Sequence, residues 1–192
     1  MKRLIIATTN AGKVVEIHSA LGETPHWLLE ALPPGIPSIE ETCTTFVENA
    51  VLKAEHYSRF THDLTLADDS GLCVDALEGR PGVHSARYAP DPPSRIKRIL
   101  AEMKNIPDGN RQAAFYCALA LAENGRTIWT VEGEVHGVIA HAPSGTSGFG
   151  YDPVFLLPAL GRTMADLGTE DKNRLSARGK ALMELRKFLL SR

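Results

Sequence analysis

The chain begins with a short unbroken run of apolar residues, Leu4–Ala7, and polar positions follow it at once. A continuous apolar run of this length is typical of a strand that is buried on both faces. The spacing then becomes helical, because Val14, Ile17 and Leu21 recur on one face of a helix. A buried strand that leads into an amphipathic helix is a common unit of α/β proteins.

The same spacing predicts three more helices. Thr45 and Glu48 form a capping-box pattern, so the second helix is expected to start directly after Thr45. Ser94 is expected to cap a third helix, and residues 170–190 are expected to form one last helix with acidic residues at its positive N-terminus. The inward face of the second helix consists of Val47, Ala50, Val51 and Ala54. The inward face of the third consists of Ile96, Ile99, Leu100 and Met103, and that of the last consists of Leu175, Leu182, Leu185 and Leu189.

Two long strands are predicted at residues 113–122 and 126–140, with the dipeptide Asn124-Gly125 between them. That dipeptide is the strongest short signal of a β-hairpin, because both residues tolerate the positive φ that the tightest turn requires. A further short strand is expected at residues 154–156. Helices that alternate with strands, together with a hairpin, predict a three-layer α/β fold around a mixed sheet.

The composition is that of an ordinary globular protein, since 43% of the 192 residues are hydrophobic and 23% are charged. The length suits one domain spanning residues 1–192. A net charge of −2 offers no basic excess for binding polymeric nucleic acid. Lys2 and Arg3 precede too few apolar residues for a secretory signal or a membrane span. Three cysteines without metal or redox spacing are expected to be reduced thiols of a cytoplasmic protein.

Two adjacent carboxylates, Asp68 and Asp69, follow a buried apolar run and precede Ser70 and Gly71. We expect the strand to end here in a polar loop. Because neighbouring carboxylates repel each other, a cation is expected beside them, and Mg²⁺ is the cation that prefers oxygen ligands shared with phosphates. The alternative is an ordinary polar turn, since Asp, Ser and Gly are frequent turn residues.

Residues 8–13, Thr-Thr-Asn-Ala-Gly-Lys, lie between the first strand and the first helix. Backbone amides at a helix N-terminus favour anions, and the hydroxyls and Lys13 add donors, so this loop is a candidate phosphate site. It is not a Walker loop, because Val14 stands where that pattern needs Ser or Thr. The alternative is an ordinary strand-to-helix turn with a solvated Lys13.

Residues 145–152 form a glycine-rich loop that carries Phe149 and Asp152. Glycine lets a backbone approach a ligand closely, and an aromatic ring on such a loop can stack on a nucleobase. The alternative is that the aromatic rings of the loop pack into the core. In α/β sheets ligands bind where loops converge at strand ends, so the loops 8–13, 68–71 and 145–152 are expected to act together.

Other charged residues carry no local signal of function. Taken alone, Lys53, Lys172 and Arg178 are expected to be solvated surface side chains, and so is Glu41 unless it meets the pair Asp68 and Asp69. The histidines lack metal-ligand spacing, and neither a Ser-His-Asp nor a Cys-His arrangement can be argued from the sequence.

Taken together and in order, these segments resemble the inosine/xanthosine triphosphate pyrophosphatase family, whose members remove non-standard purine nucleotides from the nucleotide pool. The resemblance covers nearly the whole chain, and it rests on the joint order and spacing of the motifs. The matching segments are residues 8–13, Glu41-Thr42, Phe46–Ala50, Lys53, Ala67–Leu72, Pro81-Gly82, Ser85–Tyr88, Gly148–Pro153, Lys172 and Ser176–Arg178.

The resemblance implies a fold, a chemistry and an assembly. The fold would be an elongated α/β protein whose twisted mixed sheet forms a cleft between two lobes. The chemistry would be Mg²⁺-dependent cleavage of a nucleoside triphosphate to the monophosphate and pyrophosphate, with ITP, dITP and XTP preferred. The assembly would be a homodimer.

The resemblance also implies roles for single residues. Glu41 and Asp69 would bind Mg²⁺ with Asp68 close by, and Asp69 would activate the attacking water, a role that Asp68 or a metal-bound hydroxide could share. Phe149 would stack on the purine. The triphosphate would be held by Thr8, Thr9, Asn10, Ala11, Gly12, Lys13, Lys53 and Ser70. The base edge and the sugar would be surrounded by Gly150, Tyr151, Asp152, Lys172, Ala177 and Arg178.

One position departs from the family pattern. The family has Ser-His-Arg where this chain has Ser176-Ala177-Arg178. The missing imidazole removes a donor or acceptor from the expected base pocket, so we expect base selection to be affected more than catalysis.

Two other functions fit parts of the sequence. One is a nucleotide-binding module that no longer hydrolyses its ligand, which only Ala177 supports. The other is a related pyrophosphatase that acts on modified pyrimidine or methylated nucleotides. A scaffold without chemistry would leave the pair Asp68 and Asp69 unexplained.

Overall fold

The computed structural model of the protein describes residues 1–22 and 24–192. Within these residues there are seven strands and five α-helices. In chain order they are β1 (Lys2–Ile6), α1 (Ala11–Leu21), β2 (Trp27–Ala31), α2 (Phe46–Thr61), β3 (Leu64–Val74), α3 (Pro92–Glu102), β4 (Gln112–Glu123), β5 (Arg126–Ile139), β6 (Phe155–Leu157), β7 (Arg162–Thr163), α4 (Thr169–Leu175) and α5 (Ala177–Leu190).

The strands form one sheet in the order β2-β1-β3-β4-β5-β6-β7. β1 runs parallel to both β2 and β3, whereas β6 runs antiparallel to both β5 and β7. The prediction of an α/β fold around a mixed sheet is therefore confirmed. The edge strands β2 and β7 were not predicted from the sequence.

The chain divides into two compact units. Unit 1 comprises Met1–Asp69, Cys117–Gly133 and Arg178–Arg192, and unit 2 comprises Ser70–Tyr116 and Glu134–Ala177. β3, β4 and β5 each contribute residues to both units. The single domain, the elongated shape and the cleft stay predictions.

Within unit 1, α2 packs against a face of the sheet that is lined by alanines. Side chains alternate between the two faces of a strand, so every second residue of β4 faces the same way. Small side chains on both partners let the helix backbone approach the sheet closely. The buried alanines of this contact are Ala7, Ala50, Ala54, Ala67, Ala118, Ala120 and Ala122.

The start of α2 is confirmed, and the predicted cap of α3 is wrong. Thr45 is the N-cap of α2, because its Oγ1 accepts from the backbone N–H of Glu48 at 3.3 Å, and this hydroxyl also donates to the Glu48 carboxylate at 2.8 Å. For α3 the cap is Asp91, whose carboxylate accepts from the backbone N–H of Ser94 at 2.8 Å. Asp91 precedes Pro92 and Pro93, which suit the first turn because they lack the N–H that would be unpaired there.

The prediction of one long C-terminal helix is wrong. Ser176 has an extended backbone (φ −69°, ψ 157°) and separates α4 from α5. Serine is a weak helix former, because its hydroxyl competes for backbone hydrogen bonds. Arg178 therefore lies in the first turn of α5, whereas Lys172 belongs to α4.

The polar loop predicted at residues 68–71 is also wrong, because β3 continues through it to Val74. The hairpin at Asn124-Gly125 is confirmed, with positive φ at both residues. The strand expected at residues 154–156 is shifted by one residue, since Asp152–Val154 forms a 3₁₀ turn before β6. Among the described residues, no helix is long and apolar enough to cross a membrane.

Candidate active site

Asp68 and Asp69 lie within β3 and are both buried, with exposed fractions of 2% and 5%. Consecutive side chains of a strand point to opposite faces of the sheet. Asp69 shares its face with Ala67, which packs against α2, and Asp68 points to the other face. The two carboxylates therefore meet different partners.

Asp68 forms buried ion pairs with two cations. Its Oδ1 lies 2.8 Å from Nζ of Lys13, and its Oδ2 accepts from Nε and Nη2 of Arg178 at 3.2 and 3.0 Å. Burial alone would raise the pKa of Asp68, but Lys13 and Arg178 outweigh it and hold that pKa well below its usual range. Asp68 thus acts as an ionised anchor for α1 and α5.

Arg178 extends this anchor to a second carboxylate. Its Nη1 donates to Glu16 of α1, three residues beyond Lys13. Arg178 is 7% exposed, so the expectation of a solvated surface side chain is wrong for it. The base-edge role that the family resemblance implies for Arg178 stays a prediction.

Asp69 belongs to a second group of charges on the α2 side. Its Oδ2 accepts from Nδ2 of Asn49 at 3.1 Å, and its Oδ1 lies 3.9 Å from Nζ of Lys53. Lys53 also donates to the carboxylate of Glu41 and to the backbone oxygen of Asp68, the latter at 2.6 Å. One ammonium group therefore joins Glu41 to Asp69.

The pKa shifts in this second group follow from burial and from the neighbouring charges. Burial raises the pKa of Asp69 and Glu41 raises it further, while Lys53 opposes both effects without cancelling them. Burial would lower the pKa of Lys53, but the surrounding carboxylates outweigh it and raise that pKa. Asp69 is thus a more basic carboxylate than Asp68.

The donor set of Glu41 and Asp69 suits a hard divalent cation. Among the described residues, no group of three or more His, Cys, Asp and Glu side chains could hold a metal ion by itself. Mg²⁺ is usually bound through one or two carboxylates plus phosphate oxygens of the substrate. Glu41 and Asp69, which both contact the ammonium group of Lys53, fit this pattern as the two carboxylates.

The N-terminus of α1 lies directly after β1. Asn10 is its N-cap, and its side chain accepts from the backbone N–H of Lys13 at 3.2 Å. Thr8 Oγ1 accepts from the backbone N–H of Asn10 at 3.2 Å, and Thr9 is exposed. The predicted loop 8–13 therefore ends at Asn10, and its last three residues, Ala11, Gly12 and Lys13, form the first helical turn.

In unit 2, Asp152 organises the glycine-rich loop of residues 145–152. Its Oδ2 accepts from the backbone N–H of Phe149 at 2.8 Å and from Nζ of Lys172 at 2.6 Å. Nζ of Lys172 also lies 5.0 Å from the centre of the Phe149 ring, within cation–π range. Lys172 is only 8% exposed, so the expectation of a solvated side chain is wrong for it as well.

Gly148 and Gly150 give this loop backbone conformations with positive φ. Gly148 has φ +76°, and a Cβ there would collide with the Asp152 carboxylate and the Lys172 ammonium. Gly150 has φ +64°, which also favours glycine. The loop therefore closes around the Asp152–Lys172 ion pair.

The remaining candidates in unit 2 differ in burial. Tyr151 is 4% exposed and its hydroxyl donates to the backbone oxygen of Ser85 at 2.8 Å, so its ring packs inward while Phe149 stays half-buried. Ser70 is half-buried in β3. Ala177 is buried at the first position of α5 and contributes only a methyl group.

Asn49 and Glu16 belong to these charge groups but were not predicted as site residues. Each lies one helical turn from a residue that was singled out, since Asn49 precedes Lys53 by four positions and Glu16 follows Lys13 by three. Residues with this spacing share a helix face. Helical spacing from the candidate lysines was the signal that could have found both.

Comparison with known proteins gives a consistent result. A sequence model of the Ham1 family matches residues 4–188. A protein named dITP/XTP pyrophosphatase from Geobacillus kaustophilus (strain HTA426) is 50% identical over 189 residues, which cover 96% of this chain and 93% of that protein. The solved structure of a HAM1 protein from Coxiella burnetii has a TM-score of 0.90 and 38% identity over the full length of both chains. The Ham1 protein of Staphylococcus aureus has a TM-score of 0.86 and 37% identity over 98% of each chain. The chain therefore belongs to the Ham1 family.

Proposed function

We propose that this protein hydrolyses deaminated purine nucleoside triphosphates, namely ITP, dITP and XTP, to the monophosphate and pyrophosphate, and so cleanses the nucleotide pool. The observation that carries the proposal is that Lys53 joins two buried or half-buried carboxylates, Glu41 and Asp69, in a unit that also presents the N-terminus of α1. The relative from Geobacillus kaustophilus, which is named for dITP and XTP, supports the substrate class.

Glu41 and Asp69 would hold a divalent cation, and we propose Mg²⁺. When bound, Mg²⁺ would neutralise charge on the phosphates and assist the departure of pyrophosphate. The half-buried Lys53 already contacts both carboxylates, and its ammonium adds fixed positive charge for the phosphate chain. Phosphoryl transfer depends mostly on such positioning and charge stabilisation.

Asp69 would accept the proton of the attacking water. The water oxygen adds to the α-phosphorus, the bond from that phosphorus to the oxygen that bridges it to the β-phosphorus breaks, pyrophosphate leaves, and the carboxylate of Asp69 takes up the proton released by the water. In the absence of the cation, burial and Glu41 raise the pKa of Asp69, so its ionised form is then a better base than an ordinary aspartate. Asp68 is a poorer candidate for this role, since Lys13 and Arg178 bind its oxygens.

The triphosphate would lie against the first turn of α1. Backbone N–H groups at a helix N-terminus point toward an anion, and the helix dipole favours negative charge there. Lys13 belongs to this turn and is partly exposed, so its ammonium can serve the phosphates as well as Asp68. The hydroxyls of Thr8, Thr9 and Ser70 would add donors.

The base would be recognised by Phe149 and Lys172. The half-buried ring of Phe149 would stack on the purine, which is worth about 1–3 kcal/mol. Lys172 can only donate hydrogen bonds, so it suits the 6-oxygen of hypoxanthine and xanthine. Adenine presents an amino group at that position, and two opposed donors would cost about 1–3 kcal/mol, or roughly 10- to 150-fold.

We further propose that the protein works in the cytoplasm as a homodimer. Its three cysteines are free thiols, as expected in a reducing compartment. Light scattering of the purified protein should give twice the mass of the chain, and a mass equal to one chain would contradict the dimer.

The proposed activity can be tested with a panel of triphosphates. Incubated with Mg²⁺, the protein should release pyrophosphate from dITP, ITP and XTP at a kcat/KM at least about 10-fold above that for dATP. A chelator should abolish turnover and leave the unfolding curve unchanged, and added Mg²⁺ should restore it. The absence of pyrophosphate release from all three deaminated substrates would contradict the proposal.

Asparagine substitutions should separate the two carboxylates of β3. Asp69→Asn should lower kcat by about 10²- to 10⁴-fold and should not lower stability, because a carboxylate with a raised pKa is destabilising when ionised. Asp68→Asn should lower the free energy of unfolding by about 3–5 kcal/mol, because it leaves the buried Arg178 and the partly exposed Lys13 without their shared anion.

Urea unfolding at neutral pH and initial-rate measurements would check both substitutions. Because the pKa of Asp68 is depressed by folding, its stabilisation is present at neutral pH and is lost only as the pH falls below the range in which an unfolded aspartate titrates. Equal losses of stability in the two variants would contradict the division of roles.

Removal of the Lys172 ammonium should relax base selection. In Lys172→Met the ratio of kcat/KM for dITP to that for dATP should fall by about 10-fold or more, because the donor that disfavours adenine is gone. Arg174→Met is the matched control, since Arg174 lies on the same helix with 68% of its side chain exposed. An unchanged ratio in Lys172→Met would show that another group selects the base.

A further inference from the structure

Asn49 is wholly buried on α2, and its side-chain amide forms hydrogen bonds within the protein. Its Nδ2 donates to Oδ2 of Asp69 at 3.1 Å and to the backbone oxygen of Cys43 at 3.4 Å. Its Oδ1 accepts from the backbone N–H of Cys43 at 3.0 Å. Since an amide group has two donor hydrogens and one acceptor oxygen, every polar atom of Asn49 is engaged.

Cys43 lies two residues beyond Glu41, in a segment that needs external support. Residues 32–45, all of which the structure describes, form no helix or strand. The paired bonds from Asn49 to the N–H and C=O of Cys43 take the place of a neighbouring strand. They fix the backbone beside Glu41 to the helix that also contacts Asp69.

Three side chains of α2 hold this segment along one stripe of the helix. Asn49, Lys53 and His56 follow one another at intervals of four and three residues, which places them on one face. Their partners in the segment are Cys43, Glu41 and Pro37, the last with its backbone oxygen 2.7 Å from Nε2 of His56. Within the stripe, Asn49 contacts both the segment and the carboxylate of Asp69.

We propose that Asn49 is a positioning residue for the hydrolysis, which fixes the carboxylate of Asp69 relative to the segment that carries Glu41. The inference rests on the proposed function, because it needs Asp69 and Glu41 to act together. Asn49 itself touches neither substrate nor cation, since its polar atoms are bound within the protein. It acts through Asp69 and through the backbone of Cys43.

The chemistry of the amide explains why this position holds asparagine. An aspartate of the same size would place an oxygen against both Asp69 and the Cys43 carbonyl, so two attractive contacts would become repulsive. Alanine would leave the same groups without partners. Groups that orient a reactive carboxylate typically change activity by about 10- to 100-fold when they are removed.

The test compares Asn49→Ala and Asn49→Asp with Ser58→Ala as the matched control. Ser58 is also wholly buried on α2, and its hydroxyl accepts from the backbone N–H of Gly125 at 2.9 Å. Urea unfolding, kcat and KM for dITP, calorimetric titration with Mn²⁺ alone, and hydrogen exchange at the Cys43 amide are measured for each protein. Asn49→Ser replaces Asn49→Ala if the latter does not fold.

We expect Asn49→Ala to lower kcat by about 10- to 100-fold with KM changed less than about threefold. Asn49→Asp should be impaired at least as strongly despite its equal size. In both variants Mn²⁺ should bind more weakly and the Cys43 amide should exchange faster. Ser58→Ala should lose stability but keep kcat within about twofold of the original protein, since it removes only the hydrogen bonds of Ser58 with Gly125 and Glu55, which do not involve Asp69.

A kcat within about threefold of the original value in the folded Asn49→Ala protein would overturn the positioning role, since orienting groups of this kind have larger effects. An equal fall of kcat in Ser58→Ala would also overturn it, because general destabilisation of α2 would then explain both. If the unsubstituted protein does not hydrolyse dITP, ITP or XTP, the proposed function fails instead.

Discussion

The alternation of side chains along β3 is the constraint on which the candidate site depends. Because consecutive residues of a strand face opposite sides, Asp68 and Asp69 cannot share one set of partners. Asp68 meets Lys13 and Arg178, whereas Asp69 meets Asn49 and Lys53 of α2. The small alanines on the α2 side let that helix approach, so the polar groups of its first turns reach Asp69.

This geometry gives two neighbouring carboxylates opposite electrostatic properties. Two cations hold the pKa of Asp68 below its usual range, and the resulting ion pairs tie α1 and α5 to β3. Asp69 has a raised pKa, because burial and the nearby Glu41 together outweigh Lys53. An ionised anchor and a carboxylate with a raised pKa can therefore occupy adjacent positions in one strand. In unit 2 Asp152 has an anchoring role of its own, since one of its oxygens holds both Phe149 and Lys172.

Periodicity predicted the helix α1, the start of α2 and the hairpin, because each depends on local spacing or on a turn with specific φ requirements. The prediction of a polar loop at residues 68–71 failed, because the turn preferences of Asp, Ser and Gly were overridden by cations supplied from distant parts of the chain. For the same reason Lys172 and Arg178 were expected at the surface, since their carboxylate partners lie far away in sequence. Asn49 was missed although its spacing from Lys53 places both on one helix face, because the contact with Asp69 joins residues that are twenty positions apart.

Asp68 is an ionised anchor, whereas Asp69 is a carboxylate with a raised pKa. The most direct test is a ¹³C NMR titration of the aspartate carboxyl groups in the presence of a chelator, with each of the two resonances assigned. Asp69 should titrate above the ordinary range of aspartate, while Asp68 should stay ionised to the lowest pH at which the protein remains folded. Coincident titration of the two groups, or a higher pKa for Asp68 than for Asp69, would contradict these two assignments.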